Sequence, residues 1–186
     1  MFRRNAIAWM GTAVLLAGGF MTFTPAAMGK NSGVSDSEQV SKLLSEAKTM
    51  VFQLKEDAAT METFSRMDVS WESHKVAINQ IKEHVNALGK QVAELKDAEA
   101  SASPWQASAI DRIYPYLDEM VGYTTAVIEH LNGDRRHNFA EYRDYLEANA
   151  DYASDLAAMV ADFVDYGNAR QRVERLANKL EITPFR

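Results

Sequence analysis

The chain has 186 residues, no cysteine, four histidines, four prolines and a net charge of −6, which is enough length for one domain with a sizeable core. Without cysteine it can carry neither a disulfide nor an acyl anchor, so stability must come from packing alone. An acidic balance with no basic patch interleaved with aromatics argues against nucleic acid as a partner.

Residues 1–29 read as a secretory signal peptide. Arg3 and Arg4 make a positive start, Ala6 to Phe23 is an uncharged apolar run, and small residues follow up to Ala27 and Gly29. Cleavage after either of those positions removes two arginines and no carboxylate, moving the net charge from −6 to −8. The competing reading is an uncleaved membrane anchor, since about eighteen apolar residues can just span a bilayer. Gly18, Gly19 and Pro25 favour the signal. This places the mature protein in the periplasm or outside the cell, with membrane contact only through an uncleaved leader.

A polar linker at 30–34 leads into the first helix, expected over about 36–66. Ser35 and Glu38 have the spacing of a capping box. Val40, Leu43, Ala47, Met50, Leu54, Asp57, Met61 and Phe64 form its seam, widened by Leu44, Val51 and Ala58. The second helix, about 70–98, takes Asp68 or Ser70 as its cap. Its seam of Trp71, His74, Ile78, Ile81, Val85, Leu88, Val92 and Leu95 is spaced by alternating threes and fours for about seven turns.

Ser103-Pro104-Trp105-Gln106 then marks the start of the third helix, about 104–132, with Ser103 as cap, Pro104 in the first position and Gln106 closing the box. Its seam runs through Ile110, Ile113, Leu117, Met120, Thr124, Val127 and Leu131, and Pro115 inside it predicts a bend or a lost backbone bond. Asn138 and Glu141 resemble a further capping box for a fourth helix, about 138–167, with Tyr142, Tyr145, Asn149, Tyr152, Leu156, Met159, Phe163 and Tyr166 as its seam. Four long helices joined by short turns imply an all-α, up-down-up-down four-helix bundle.

An apolar stripe of Val173, Leu176 and Leu180 continues to about residue 182, accompanied by Arg170, Arg172, Arg175 and Lys179. Two outcomes are open for this C-terminal extension. It bends at Gly167 and caps the base of the bundle, or it overshoots and serves self-association, because an overhanging apolar stripe otherwise stays wet.

Folding the chain at its turns brings His74 and His130 to one end of the bundle, with His137 and Glu141 near them. Histidines and carboxylates converging from different helices are how bundles hold metals, so these four residues are the candidate metal ligands. No Glu-x-x-His pair and no His-Glu-x-x-His motif accompanies them, and a hydrogen-bonded core role for His74 is the plainer expectation. His84 falls on a flank, at the surface. The architecture resembles the small exported four-helix cytochromes, which implies a haem held by pairs such as Met61 with His130 or His74 with His130. The chain lacks the cysteines for covalent attachment, and the expectation is that it carries no cofactor.

Asp57, Thr124 and Asn149 are polar residues at seam positions and at similar height. They are expected to form one hydrogen-bonded layer that sets register. All seven tyrosines lie between Tyr114 and Tyr166, either as core or as an aromatic groove for a partner helix or an aromatic ligand. No catalytic motif is present. The expectation is a non-enzymatic binding protein of the cell envelope, partnered by itself through the extension or by another envelope protein, with a metal- or haem-binding bundle as the alternative.

Overall fold

Four helices form where the seams place them: α1 (Glu38–Phe64), α2 (Trp71–Ala98), α3 (Pro104–Gly133) and α4 (Ala140–Leu180), with a short 3-10 turn at Glu99–Ser101. The computed structural model describes residues 35–133 and 140–183, which fall within a single compact unit. α1 packs against α2 and α4, and α3 packs against the same two, so each helix lies beside its neighbours in sequence and α4 closes back on α1. Asp57 stands level with Gln80 and His84, and Leu43 with Gln91, so α1 and α2 run antiparallel. The fold is an all-α four-helix bundle. None of the described helices is long and apolar enough to cross a membrane.

The helix starts differ in detail from the capping boxes in the sequence. Ser37, two residues after Ser35, is the cap of α1, its side chain accepting from the Val40 N–H. Ser70 caps α2 by accepting from Ser73. At α3 only half the box forms: Gln106 Oε1 accepts from the Ser103 N–H at 2.9 Å. Among the described residues the buried Ser103 hydroxyl has no hydrogen-bond partner. The proposed box at Asn138 lies outside the described residues.

Gln106 is engaged more widely than a cap. Its Oε1 also accepts from the Ser37 N–H at 2.9 Å, and its Nε2 donates to the Ser37 carbonyl at 2.8 Å and the Ser41 hydroxyl at 2.9 Å. One buried amide therefore joins the start of α3 to the start of α1.

The core stripes are rotated from the simple heptad reading. On α1 the buried residues are Val40, Leu43, Leu44, Ala47, Val51, Leu54, Ala58 and Met61, while Met50, Asp57 and Phe64 are only half-buried. A straight helix has 3.6 residues per turn, so a seven-residue repeat drifts by about 20° per heptad and its later members slide to the flank. On α4 the core is Tyr142, Leu146, Asn149, Ala153, Leu156, Ala157, Val160 and Gly167. Tyr145, Tyr152, Met159 and Phe163 move to the flank and Tyr166 is exposed. Pro115 sits on the exposed side of α3, and the helix continues through it.

α4 is one helix of 41 residues with no break at Gly167, so the expected cap across the base does not form and the helix overshoots its neighbours. Arg170 pairs with Asp36, just ahead of α1, and Trp105 at the start of α3 lies against Gly167. Beyond this level every described residue of α4 except Ala177 is exposed.

Gly167 lets α3 and α4 close at the base. A Cβ there would lie 2.7 Å from Cη2 and 3.1 Å from Cζ2 of Trp105. The indole cannot retreat cheaply, because its Nε1 donates to Asp36 at 2.7 Å. Alanine gains about 1 kcal/mol of helix propensity over glycine, while overpacking costs about 1–3 kcal/mol. Gly167→Ala should therefore destabilise the protein by up to about 2 kcal/mol in urea unfolding. In a Trp105→Leu background the same substitution should become neutral or stabilising.

Candidate functional site

Two places gather the residues that can bind something. The first is the end of the bundle where His74 lies. His74 is fully buried, and its Nδ1 shares a 2.8 Å hydrogen bond with the Tyr142 hydroxyl, itself fully buried. The Phe64 ring meets the His74 ring edge-on at 5.6 Å, and the His130 ring lies 5.0 Å from that of Tyr142. The sequence placed His74 and His130 at one end, and both do pack on Tyr142. Glu141 points elsewhere: it is exposed and accepts from the Tyr145 hydroxyl at 2.6 Å. His137 lies outside the described residues. Among the described residues no three metal-ligating side chains converge.

The expected polar layer divides in two. Thr124 Oγ1 donates to Asn149 Oδ1 at 3.4 Å inside the bundle. Asp57 is not with them. It has drifted to the α1–α2 flank, where it pairs with His84 Nδ1 and accepts from Gln80 Nε2 at 3.1 Å. His84 lies on that flank as expected, half-buried and hydrogen-bonded to Asp57. Among the described residues the Asn149 amide nitrogen is buried without a hydrogen-bond partner.

The second place is a groove of about 600 Å³ between α3 and α4, near the base. Trp105, Ser108, Arg112 and Tyr116 form the α3 wall, at intervals of three and four. Asp155, Met159, Asp162, Phe163 and Tyr166 form the α4 wall. The small core residues Ala153, Ala157 and Gly167 draw α4 inward, which leaves its large residues to line the flank. Trp105 and Tyr166 meet edge-on at 5.4 Å, and the Arg112 guanidinium lies over the Phe163 ring at 5.6 Å.

The aromatic surface continues away from the base. Tyr116 meets Tyr152 at 6.1 Å, Tyr152 stacks on Tyr123 at 5.6 Å, and Tyr123 approaches Tyr145 at 6.5 Å. The charge of Glu119 raises the Tyr152 pKa, and the hydrogen bond to Glu141 raises that of Tyr145, so these hydroxyls stay neutral donors. Asp155 and Asp162 have no ion-pair partner among the described residues. The groove is an apolar, aromatic channel with one cation and two carboxylates on its rim.

Sequence reasoning preferred core packing for the tyrosines and kept an aromatic groove only as the lesser alternative; it took Met159, Phe163 and Tyr166 as core and overlooked Arg112, Asp155 and Asp162. The readable signal was the stripe Asp155, Met159, Asp162, Tyr166, a line of mixed polarity at helical spacing.

Two expectations test this description. Burial pushes the Tyr142 hydroxyl well above its ordinary pKa, so the native state keeps a proton that the unfolded chain releases. That contribution is whole below about pH 10 and drains as the pH rises further, by up to about 1.4 kcal/mol per unit. Tyr142→Phe should cost about 1–2 kcal/mol at pH 7 through the lost bond to His74. It should also flatten the decline in unfolding free energy between about pH 10 and 11. Asn149→Leu removes an unsatisfied amide and should stay folded, with stability changed by less than about 2 kcal/mol. Asp57→Leu breaks a partly exposed pair and should change it by less than about 1 kcal/mol. Loss of helical circular dichroism in either variant would contradict the assignment of Thr124 and Asn149 as a self-contained pair.

No protein-family model, curated protein or solved structure matches this chain, so the reading of the groove rests on its own residues.

Proposed function

We propose that the protein is an exported, non-enzymatic binding module of the cell envelope that takes a partner's helix into the groove between α3 and α4. The observation that carries this reading is the groove itself. Trp105, Tyr116, Met159, Phe163 and Tyr166 bring aromatic and thioether surface to one channel on the outside of the bundle. Such side chains supply large contact area at small entropic cost, and tryptophan and tyrosine dominate the energetics of docking surfaces. Asp155 and Asp162 at its edge select a partner with cations flanking its apolar residues. A channel between parallel ridges of two helices fits an amphipathic helix with anchors at intervals of three and four.

A photo-crosslinking residue at Ser108, which lines the groove and is exposed, tests the proposal in cells expressing the full chain. The control position is Asn86, exposed on α2. The expected outcome is a discrete protein adduct from position 108 and none from position 86. No adduct from position 108, or equal labelling from both, overturns the reading.

A further inference from the structure

The part of α4 that projects beyond the bundle carries its own unsatisfied surface. Val173 is 51% exposed, Leu176 48% and Leu180 61%. Between residues 168 and 180 there are four cations, Arg170, Arg172, Arg175 and Lys179, against one carboxylate, Glu174. This basic, apolar segment belongs to a chain whose net charge is −6. On α4, the groove wall from Asp155 to Tyr166 has the opposite character, with Asp155 and Asp162 lining it and no cation.

Both surfaces lie along one side of the same helix. Asp155, Asp162, Tyr166, Val173 and Leu180 follow one another at spacings of 7, 4, 7 and 7, which is a single stripe on an α-helix. Their lengths also agree. At 1.5 Å per residue, the wall from Asp155 to Tyr166 is about 17 Å long and the overhang from Arg170 to Leu180 about 15 Å.

We infer that the occupant of the groove is the overhang of a second copy of this chain, in a two-fold dimer where each copy's α4 end lies in the other's groove. This rests on the groove reading above and names its partner. In an antiparallel pairing of the two α4 helices centred near Asn168, residues equidistant from that point face each other. Val173 then meets Phe163 of the second copy, and Leu180 lies beside its exposed Asp155, level with the buried Leu156. Arg175 and Lys179 come near its Asp162 and Asp155. The centre lies at the base level, where the groove ends and the overhang begins, so both contacts form in one arrangement.

Area and symmetry select this arrangement over the simpler one. Two overhangs paired only with each other present about 15 Å of helix, too little for the roughly 800 Å² per partner of a standard stable interface. Laying each overhang in the opposite groove adds the aromatic channel twice. The contact is isologous, so it closes at two copies and leaves no sticky end to propagate a fibre.

The test uses the protein recovered from the cell envelope after expression of the full chain. Light scattering during size exclusion, up to about 200 µM, should give a concentration-dependent dimer that weakens in high salt. Arg175→Glu with Lys179→Glu should weaken dimerisation at least tenfold. Adding Asp155→Lys and Asp162→Lys should restore it. Because the chain has no cysteine, Val173→Cys and Asp162→Cys proteins can be mixed and oxidised. A disulfide-linked dimer should form faster in the mixture than from either variant alone.

A monomer at every concentration overturns the inference, as does faster linkage of Val173→Cys to itself, which would mean that overhang meets overhang. Binding to vesicles containing phosphatidylglycerol, lost on the Arg175→Glu and Lys179→Glu change while the protein stays monomeric, overturns it in favour of a lipid surface. The Ser108 crosslink separates the two readings. An adduct of twice the chain mass containing the 170–182 peptide supports both. An adduct with a different protein keeps the groove as a docking site and removes the second copy from it.

Discussion

The side-chain amide of Gln106 is the interaction on which the base of the bundle depends. α1 and α3 are the diagonal pair, which helix packing alone brings together least. Gln106 joins their first turns with two donated and two accepted bonds, all at 2.8–2.9 Å. Two of its partners are backbone N–H groups ahead of helices, where no intrahelical acceptor exists. A buried amide is costly unless every donor and acceptor is used, and here they are. Around it, Asp36 accepts from the Trp105 indole and from Arg170, so the segment before α1 also holds α3 and α4. The groove begins beside this network, and Trp105 in its wall is oriented by the bond to Asp36.

The division of labour along α4 follows from residue size. Alanine and glycine on its inner face let the helix approach its neighbours closely, and that approach leaves no interior space for Met159, Phe163 or Tyr166. These residues shield the α3–α4 seam from outside and, in doing so, build a surface. The same stripe then continues past the last turn of α3 into the overhang. There no described helix lies beside it, so the side chains that would complete a seam are exposed. A helix that is partnered for two-thirds of its length and exposed at every described residue past Arg170 but Ala177 asks for a partner with matching charge, and its own acidic wall has that charge.

At the opposite end, the histidines serve packing in what the structure describes. The Tyr142 hydroxyl takes His74 Nδ1 and the Tyr142 ring meets that of His130, so a single tyrosine engages both. Asp57 and His84 similarly settle each other's polarity on the α1–α2 flank. A buried polar group finds a near neighbour before it finds a distant one, and this is why the imagined three-helix layer resolved into two separate pairs.

The sequence by itself determined the helices, their order and their antiparallel arrangement. Seams such as Trp71 to Leu95 persist for seven turns, and the turns are too short for any other connection. It also determined that His74 and His130 share one end, because height along a bundle follows from counting residues between turns. Which way each helix is rotated about its axis was decided only by tertiary structure. A seven-residue count carries a drift of about 20° per heptad, and that drift separates core from flank for Asp57, Met159 and Phe163. The fate of Gly167 was likewise undecidable from its neighbours, since glycine both permits a bend and admits a large ring. Trp105, 62 positions away in the chain, chose the second by filling the space where a Cβ would stand. α4 runs through that contact without a break, and an unbroken α4 is what carries its basic, apolar end beyond the bundle.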